Sequence, residues 1–129
     1  MKTKILPRPT AAELEILGVL WQRGPSTVRE VHNFLGKTKR TGYTTVLKLM
    51  QIMADKGLVR RNEDQRAHLY EARAPKEQTQ RQLVRDLLDR AFGGSAPSLV
   101  MQAVSAKKAS TEDLAEIRKL LDRYERGIR

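Results

Sequence analysis

The stretch that decides the fold is TGYTTVLKLMQIMADKG, residues 41–57. At about 100° per residue, its apolar side chains gather on one side of a helix, and these are Val46, Leu49, Met50 and Met53. Its polar side chains gather on the opposite side, and these are Thr44, Lys48, Gln51 and Asp55. Gly57 is typical of a helix C-terminus. The pattern predicts a helix from Thr41 to Lys56, with one face in a core and the other exposing groups that can form hydrogen bonds.

Two shorter helices are predicted before it. Thr10 and Glu13 have the spacing of a capping box, and Gly24 with Pro25 ends that helix. Ser26 or Thr27 caps the second helix, which Gly36 ends. The side chains predicted to point inward are Leu14, Leu17, Leu20, Trp21, Val28, Val31 and Leu35.

A β-hairpin is predicted directly after the third helix. Leu58–Arg61 and Ala67–Ala72 have strand composition, with a turn at residues 62–65. In the second strand we expect Leu69 on one face, and His68 and Tyr70 on the other. Three helices followed by a hairpin predict a mainly α fold with a small β-hairpin wing, in which the third helix enters the major groove of DNA.

Charge supports a polyanionic partner. The chain has 129 residues, a net charge of +10 and no cysteine, so disulfide scaffolds and cysteine-based metal sites are excluded. Residues 1–74 have 14 basic and 7 acidic side chains, whereas residues 75–129 have 11 and 8. The residues placed to contact bases or phosphates are Thr44 and Lys48 on the helix, Lys37, Lys39 and Arg40 before it, and Arg61 and Arg66 on the hairpin.

The C-terminal part is less basic than the N-terminal part and is predicted to consist of helices with apolar stripes. Pro75 marks the boundary, which divides the chain into a DNA-binding domain at residues 1–74 and a helical domain at residues 75–129. We expect helices from Pro75 to Phe92, from Ser95 to Val104 and from Ser110 onward. Their apolar stripes predict a dimerisation surface, which includes Leu83, Leu87, Leu88, Leu114, Ile117, Leu121 and Tyr124. The alternative is that these helices fold back on the N-terminal domain.

Other functions have less support in the sequence. The two histidines, His32 and His68, lack partners for a metal site, and no nucleophile or phosphate-loop motif is present. We therefore expect no enzyme activity, no metal and no cofactor. Pro7 and Pro9 interrupt any signal peptide and no transmembrane stretch is found, so a cytoplasmic protein with no membrane insertion is expected. The main alternative is a winged-helix protein-interaction module that does not read DNA, followed by a small hydrolase.

Several motifs together resemble the penicillinase-repressor family (BlaI/MecI type) of winged-helix transcriptional repressors. The N-terminal motifs are TAAELEIL at residues 10–17, TVREV at 27–31 and GYTTVL at 42–47. The later ones are KGLVRR at 56–61, AHLY at 67–70, GGS at 93–95 and SLV at 98–100. The resemblance covers nearly the whole chain, and it implies a repressor that binds palindromic operator DNA as a homodimer, with antibiotic resistance genes as one regulon.

The resemblance also implies site residues and a mode of induction. In the family, the tip of the recognition helix faces the major groove, which here corresponds to Tyr43, Thr44, Thr45 and Lys48. Some members are cut in the dimerisation region when a membrane sensor metalloprotease is activated, at an Asn-Phe bond in the penicillinase branch. The matching region here is Met101, Gln102 and Ala103, with Gln102-Ala103 in place of that bond. The copper-responsive branch uses a C-terminal cysteine motif, which this chain lacks.

Overall fold

A computed structural model describes residues 7–36 and 41–127. The elements are α1 (Ala11–Arg23), α2 (Val28–Leu35), α3 (Tyr43–Lys56), β1 (Val59–Asn62), β2 (Leu69–Ala72), α4 (Lys76–Ala91), α5 (Ala96–Ala106) and α6 (Thr111–Glu125). The chain divides into two compact units between Val84 and Arg85, within α4. This division differs from the boundary expected at Pro75. The indole Nε1 of Trp21 donates to the Ala74 carbonyl at 3.0 Å and Thr79 is buried, so the start of α4 belongs to the first unit.

The helix boundaries of the first unit follow the capping residues. Thr10 and Glu13 form the predicted capping box of α1, and Thr27 forms one with Glu30 for α2. In α3 the N-cap is Gly42 and not Thr41, so this helix starts two residues later than predicted. Gly57 ends α3 with a φ of 85°, a left-handed conformation that glycine adopts without steric cost.

The core lies where α1, α2, α3 and the hairpin meet. Its buried apolar side chains are Ile16, Leu17, Val19, Leu20, Val28, Val31, Val46, Met50, Met53, Leu58, Val59 and Tyr70. The predicted inner face of α3 is confirmed, with Leu49 only partly buried. In α1, Ile16 and Val19 are buried while Leu14 and Trp21 are partly buried, because α1 packs against α2, α3 and β2 at once.

The two strands form an antiparallel hairpin, with Arg61 opposite Tyr70 and Asn62 opposite Leu69. The second strand begins at Leu69, two residues later than predicted. Tyr70 is buried and Leu69 is half-buried, as expected for neighbours on opposite faces, whereas His68 precedes the strand and is exposed. Ser26 and Tyr70 also exchange two backbone hydrogen bonds of 3.0 and 2.9 Å. The segment between α1 and α2 therefore pairs with the second strand through a single antiparallel β-bridge, which links the hairpin to the helices.

The second unit contains the end of α4, then α5 and α6. Ser110 and Asp113 form a capping box at the start of α6, where a helix was expected to begin. Neither α5 nor α6 has a buried residue in the single chain, and large apolar side chains are exposed on both. Over residues 7–36 and 41–127, no helix is both long and apolar enough to cross a membrane.

Candidate nucleic-acid interface

The exposed face of α3 is the central feature of the first unit. Thr44, Thr45, Lys48 and Gln51 are all exposed, while Val46 and Met50 on the other side are completely buried. The core contacts therefore fix the rotation of the helix, and this rotation directs the polar side chains into solvent. Two hydroxyls, an ammonium and an amide supply both donors and acceptors for base edges or phosphates.

The N-terminal end of α3 is tied to α2 through Tyr43. The Arg29 guanidinium lies 5.0 Å from the centroid of the Tyr43 ring, which is a cation–π contact. The His32 ring meets the same ring edge-to-face, with centroids 5.9 Å apart. Sequence reasoning missed Arg29. Nothing in the sequence of α2 indicates this contact, because it depends on how α2 crosses α3.

The C-terminal end of α3 is tied to α1 by a buried ion pair. Lys56 Nζ lies 2.8 and 3.1 Å from the two carboxylate oxygens of Glu13, which is only 2% exposed. Burial raises the pKa of Glu13, but hydrogen bonds from Lys56 and Thr10 outweigh this effect and the net pKa lies below its ordinary value. Glu13 thus serves as a helix cap and as the anchor of the end of α3.

The arginines of the hairpin differ in how far their charge is already neutralised. Arg61 lies 3.2 Å from Glu63, and its hydrogen bond to Tyr70 together with the charge of Glu63 raises its pKa. Arg60 lies 3.8 Å from Glu71. Arg66, in the loop between the strands, is exposed and forms no ion pair with a described residue. Of the two predicted wing contacts, Arg66 therefore has the more available charge.

The remaining predicted site residues are the basic residues before α3 and the apolar residues of the expected dimerisation surface. Arg40, Lys37 and Lys39 lie outside the described residues. On the second unit, Leu87, Leu114, Leu121 and Tyr124 are exposed, while Leu88 and Ile117 are half-buried; Leu83, also half-buried, lies at the end of the first unit. Among the described residues, no three His, Asp or Glu side chains cluster in a way that could hold a metal ion.

Three helices and a two-stranded hairpin, with the third helix packed on the first two, define a winged helix-turn-helix protein. A family model described as "Penicillinase repressor" matches residues 9–123. The chain therefore belongs to the penicillinase repressor family, a family of transcriptional repressors and not of enzymes. The family resemblance predicted from the sequence is confirmed.

Individual relatives agree with this assignment. The transcriptional regulator BlaI of Mycobacterium tuberculosis is 42% identical over 59 residues, which cover 45% of this chain and 43% of that protein. The match thus spans less than half of that relative's length. The penicillinase repressor of Bacillus licheniformis is 22% identical over 121 residues, or 94% of each chain. Among solved structures, the monomeric form of Bacillus licheniformis BlaI in complex with the blaP half-operator has a TM-score of 0.51 at 24% identity, covering 58% of this chain and 92% of that one. This similarity shows the winged helix-turn-helix fold.

Proposed function

We propose that this protein is a transcriptional repressor that binds operator DNA through its winged helix-turn-helix unit. The observation that carries the proposal is the position of α3. Its apolar face is fixed in the core, so Thr44, Lys48 and Gln51 are held in solvent on an accessible helix. The relative of known structure with the same fold is described in complex with a half-operator, which supports DNA as the partner.

The side chains divide into two kinds of contact. Thr44, Thr45 and Lys48 are on the exposed side of α3 and have the chemistry to read base edges in the major groove. Tyr43, at the start of α3, is assigned to the major groove with them. The sugar-phosphate backbone is assigned to Arg40, Arg61 and Arg66, whose positive charge adds affinity without selecting sequence. Glu63 and Asp64 at the tip of the hairpin are repelled by phosphate, so the tip itself is not assigned a contact.

A homodimer is part of the proposal. The apolar residues of the second unit are exposed in the single chain, among them Leu121 at 56% and Tyr124 at 69%. Because soluble proteins rarely leave so many large apolar side chains in water, a second copy of the chain is the proposed cover. The structural division within α4 leaves residues 75–84 with the DNA-binding unit, so the assigned dimerisation domain at residues 75–129 is a functional proposal and not a structural boundary.

The proposal also includes release of the repressor from DNA by proteolysis within α5. Met101, Gln102 and Ala103 are exposed, and all three lie in α5. A membrane sensor metalloprotease, or a protease under its control, would have to unwind α5 locally before cleaving there, because a helical backbone does not fit an extended protease cleft. We place the protein in the cytoplasm, where it meets chromosomal DNA, and antibiotic resistance genes are one regulon consistent with the family.

The test begins with selection of bound duplexes from a random-sequence DNA pool, followed by mobility-shift titration of the selected site. Thr44→Ala and Lys48→Ala should each weaken binding to that site by roughly 1–3 kcal/mol, the range for one base contact. Thr111→Ala and Lys119→Ala remove the same groups from exposed positions of α6 and should bind like wild type. Failure to select any site, with stable binding to another protein instead, would favour the interaction module. Wild-type affinity in both α3 variants would contradict the assignment of α3.

A further inference from the structure

The starting observation is the pairing of Arg29 with Tyr43. Arg29 is an exposed residue of α2, and its guanidinium lies 5.0 Å from the ring centroid of Tyr43, the first residue of α3. The Tyr43 ring is itself held by the edge-to-face contact with His32 and remains 37% exposed. The positive charge of Arg29 is therefore held beside the N-terminal end of the proposed recognition helix.

Three other arginines of the first unit already have carboxylate partners. Arg23 lies 3.7 Å from Glu30 and also stacks over Phe34 at 5.7 Å. Arg60 and Arg61 have Glu71 and Glu63 as partners. Arg29 forms no ion pair with any carboxylate of residues 7–36 and 41–127. A cation–π contact leaves the charge of a guanidinium intact and its in-plane N–H donors free, so Arg29 can still donate two hydrogen bonds to a phosphate.

We infer that Arg29 is a phosphate-contacting residue of the DNA interface, and that Tyr43 is the residue that positions it. The inference rests on the proposed DNA-binding function and adds α2 to a contact surface otherwise assigned to α3 and the hairpin. Stacking on Tyr43 restricts the long side chain before DNA arrives, so less side-chain entropy is lost on binding than for a freely rotating arginine.

The test uses the full chain and a fluorescently labelled duplex of mixed sequence, because a phosphate contact does not depend on base sequence. Binding is followed by anisotropy from about 50 to about 200 mM salt, and the slope of log K against log salt is measured. Arg29→Gln should reduce the steepness of this slope by about 0.9 per bound protomer. Over that salt range, the wild type should lose roughly 3.5-fold more affinity than the variant.

Three further variants separate positioning from general structure. Arg23→Gln is the matched control, since it removes an arginine that already has a carboxylate partner, and its slope should equal that of wild type. Tyr43→Leu removes the ring and should weaken binding at every salt concentration, whereas Tyr43→Phe keeps the ring face and should restore it. Thermal melting of each variant reports its stability. If the contact between Arg29 and Tyr43 only stabilised the fold, Arg29→Gln would lower the melting temperature and leave the salt slope unchanged.

The possible failures are distinguishable. If wild-type protein does not bind duplex DNA at any salt concentration, the proposed function is wrong and this inference with it. If wild type binds, and Lys48→Gln reduces the slope while Arg29→Gln does not, the function stands and Arg29 is not a phosphate contact. If Tyr43→Leu keeps both the affinity and the slope, Tyr43 does not position Arg29.

Discussion

Replacing Lys56 with methionine should destabilise the first unit without removing any of the side chains assigned to DNA contact. Lys56 Nζ donates to both oxygens of the Glu13 carboxylate, at 2.8 and 3.1 Å. Methionine keeps most of the aliphatic stem but removes the ammonium, and the buried carboxylate then still accepts the capping hydrogen bond from the Thr10 backbone N–H. A hydrogen bond to a charged group contributes about 1.5–3 kcal/mol. Because the Lys56 side chain is 36% exposed, we expect about 2 kcal/mol, below the roughly 3–5 kcal/mol of a fully buried pair.

The assay is thermal unfolding followed by circular dichroism, combined with urea titration. A loss of about 2 kcal/mol should lower the melting temperature by roughly 8–16 °C for a unit of this size. The loss should also depend on pH. The folded-state pKa of Glu13 lies below its ordinary value of 4.5, so its stabilisation is complete above that pH and is lost as pH falls through the folded value. The difference between wild type and Lys56→Met should therefore be largest near neutral pH and shrink under acid conditions.

Two comparisons make this prediction specific. Glu13→Gln should cost less, about 1 kcal/mol, because glutamine preserves the capping box and the partly exposed ammonium can be hydrated. Lys119→Met is the matched control, since its ion pair with Glu116 is 3.8 Å long and both side chains are largely exposed. A Lys56→Met variant that melts with wild type at neutral pH, or whose deficit persists unchanged in acid, would refute the role assigned to this pair.

Three further predictions concern other parts of the chain. Arg66→Ala should reduce the slope of log K against log salt for DNA binding by about 0.9 per protomer. Arg61→Ala should reduce this slope less, because Glu63 already neutralises the Arg61 side chain; anisotropy titrations of both variants measure the difference. Gly57→Ala should lower stability by about 1–2 kcal/mol, measured by urea unfolding, since alanine is strained at a φ of +85°. Leu121→Asp should convert a dimer into a monomer in analytical ultracentrifugation, and an unchanged mass would contradict the dimerisation surface.

The local features of the fold were predictable because short-range chemistry determines them. The capping boxes at Thr10 and Ser110 and the left-handed Gly57 place helix ends to within a residue or two. The buried face of α3 follows from its period. Thr41 was expected to open α3, but the N-cap is Gly42. Glycine has no side chain that could form a capping hydrogen bond, so the sequence gives no capping signal at this position.

The tertiary features could not be predicted, because each joins residues far apart in the sequence. Glu13 already had a complete explanation as the partner of Thr10, so nothing suggested its second partner 43 residues away, Lys56. The bridge between Ser26 and Tyr70 likewise requires knowledge of how the hairpin folds back on the helices. Alternation places Leu69 and Tyr70 on opposite faces of the strand but does not say that Tyr70 is the one in the core.

The two ends of α3 are held by contacts with different chemistry, and this makes their roles separable. Lys56 is directed toward the buried Glu13 of α1, so its loss should lower stability while the charge seen by DNA, and thus the salt slope, stays nearly constant. Arg29 is exposed and unpaired with any described carboxylate, so its loss should change the salt slope while stability falls little. Opposite responses in these two assays would show that the positive charge of Arg29 contributes to the electrostatic part of binding independently of how firmly α3 is held. Equal responses in both assays would instead indicate that DNA affinity depends mainly on how firmly the helix is held.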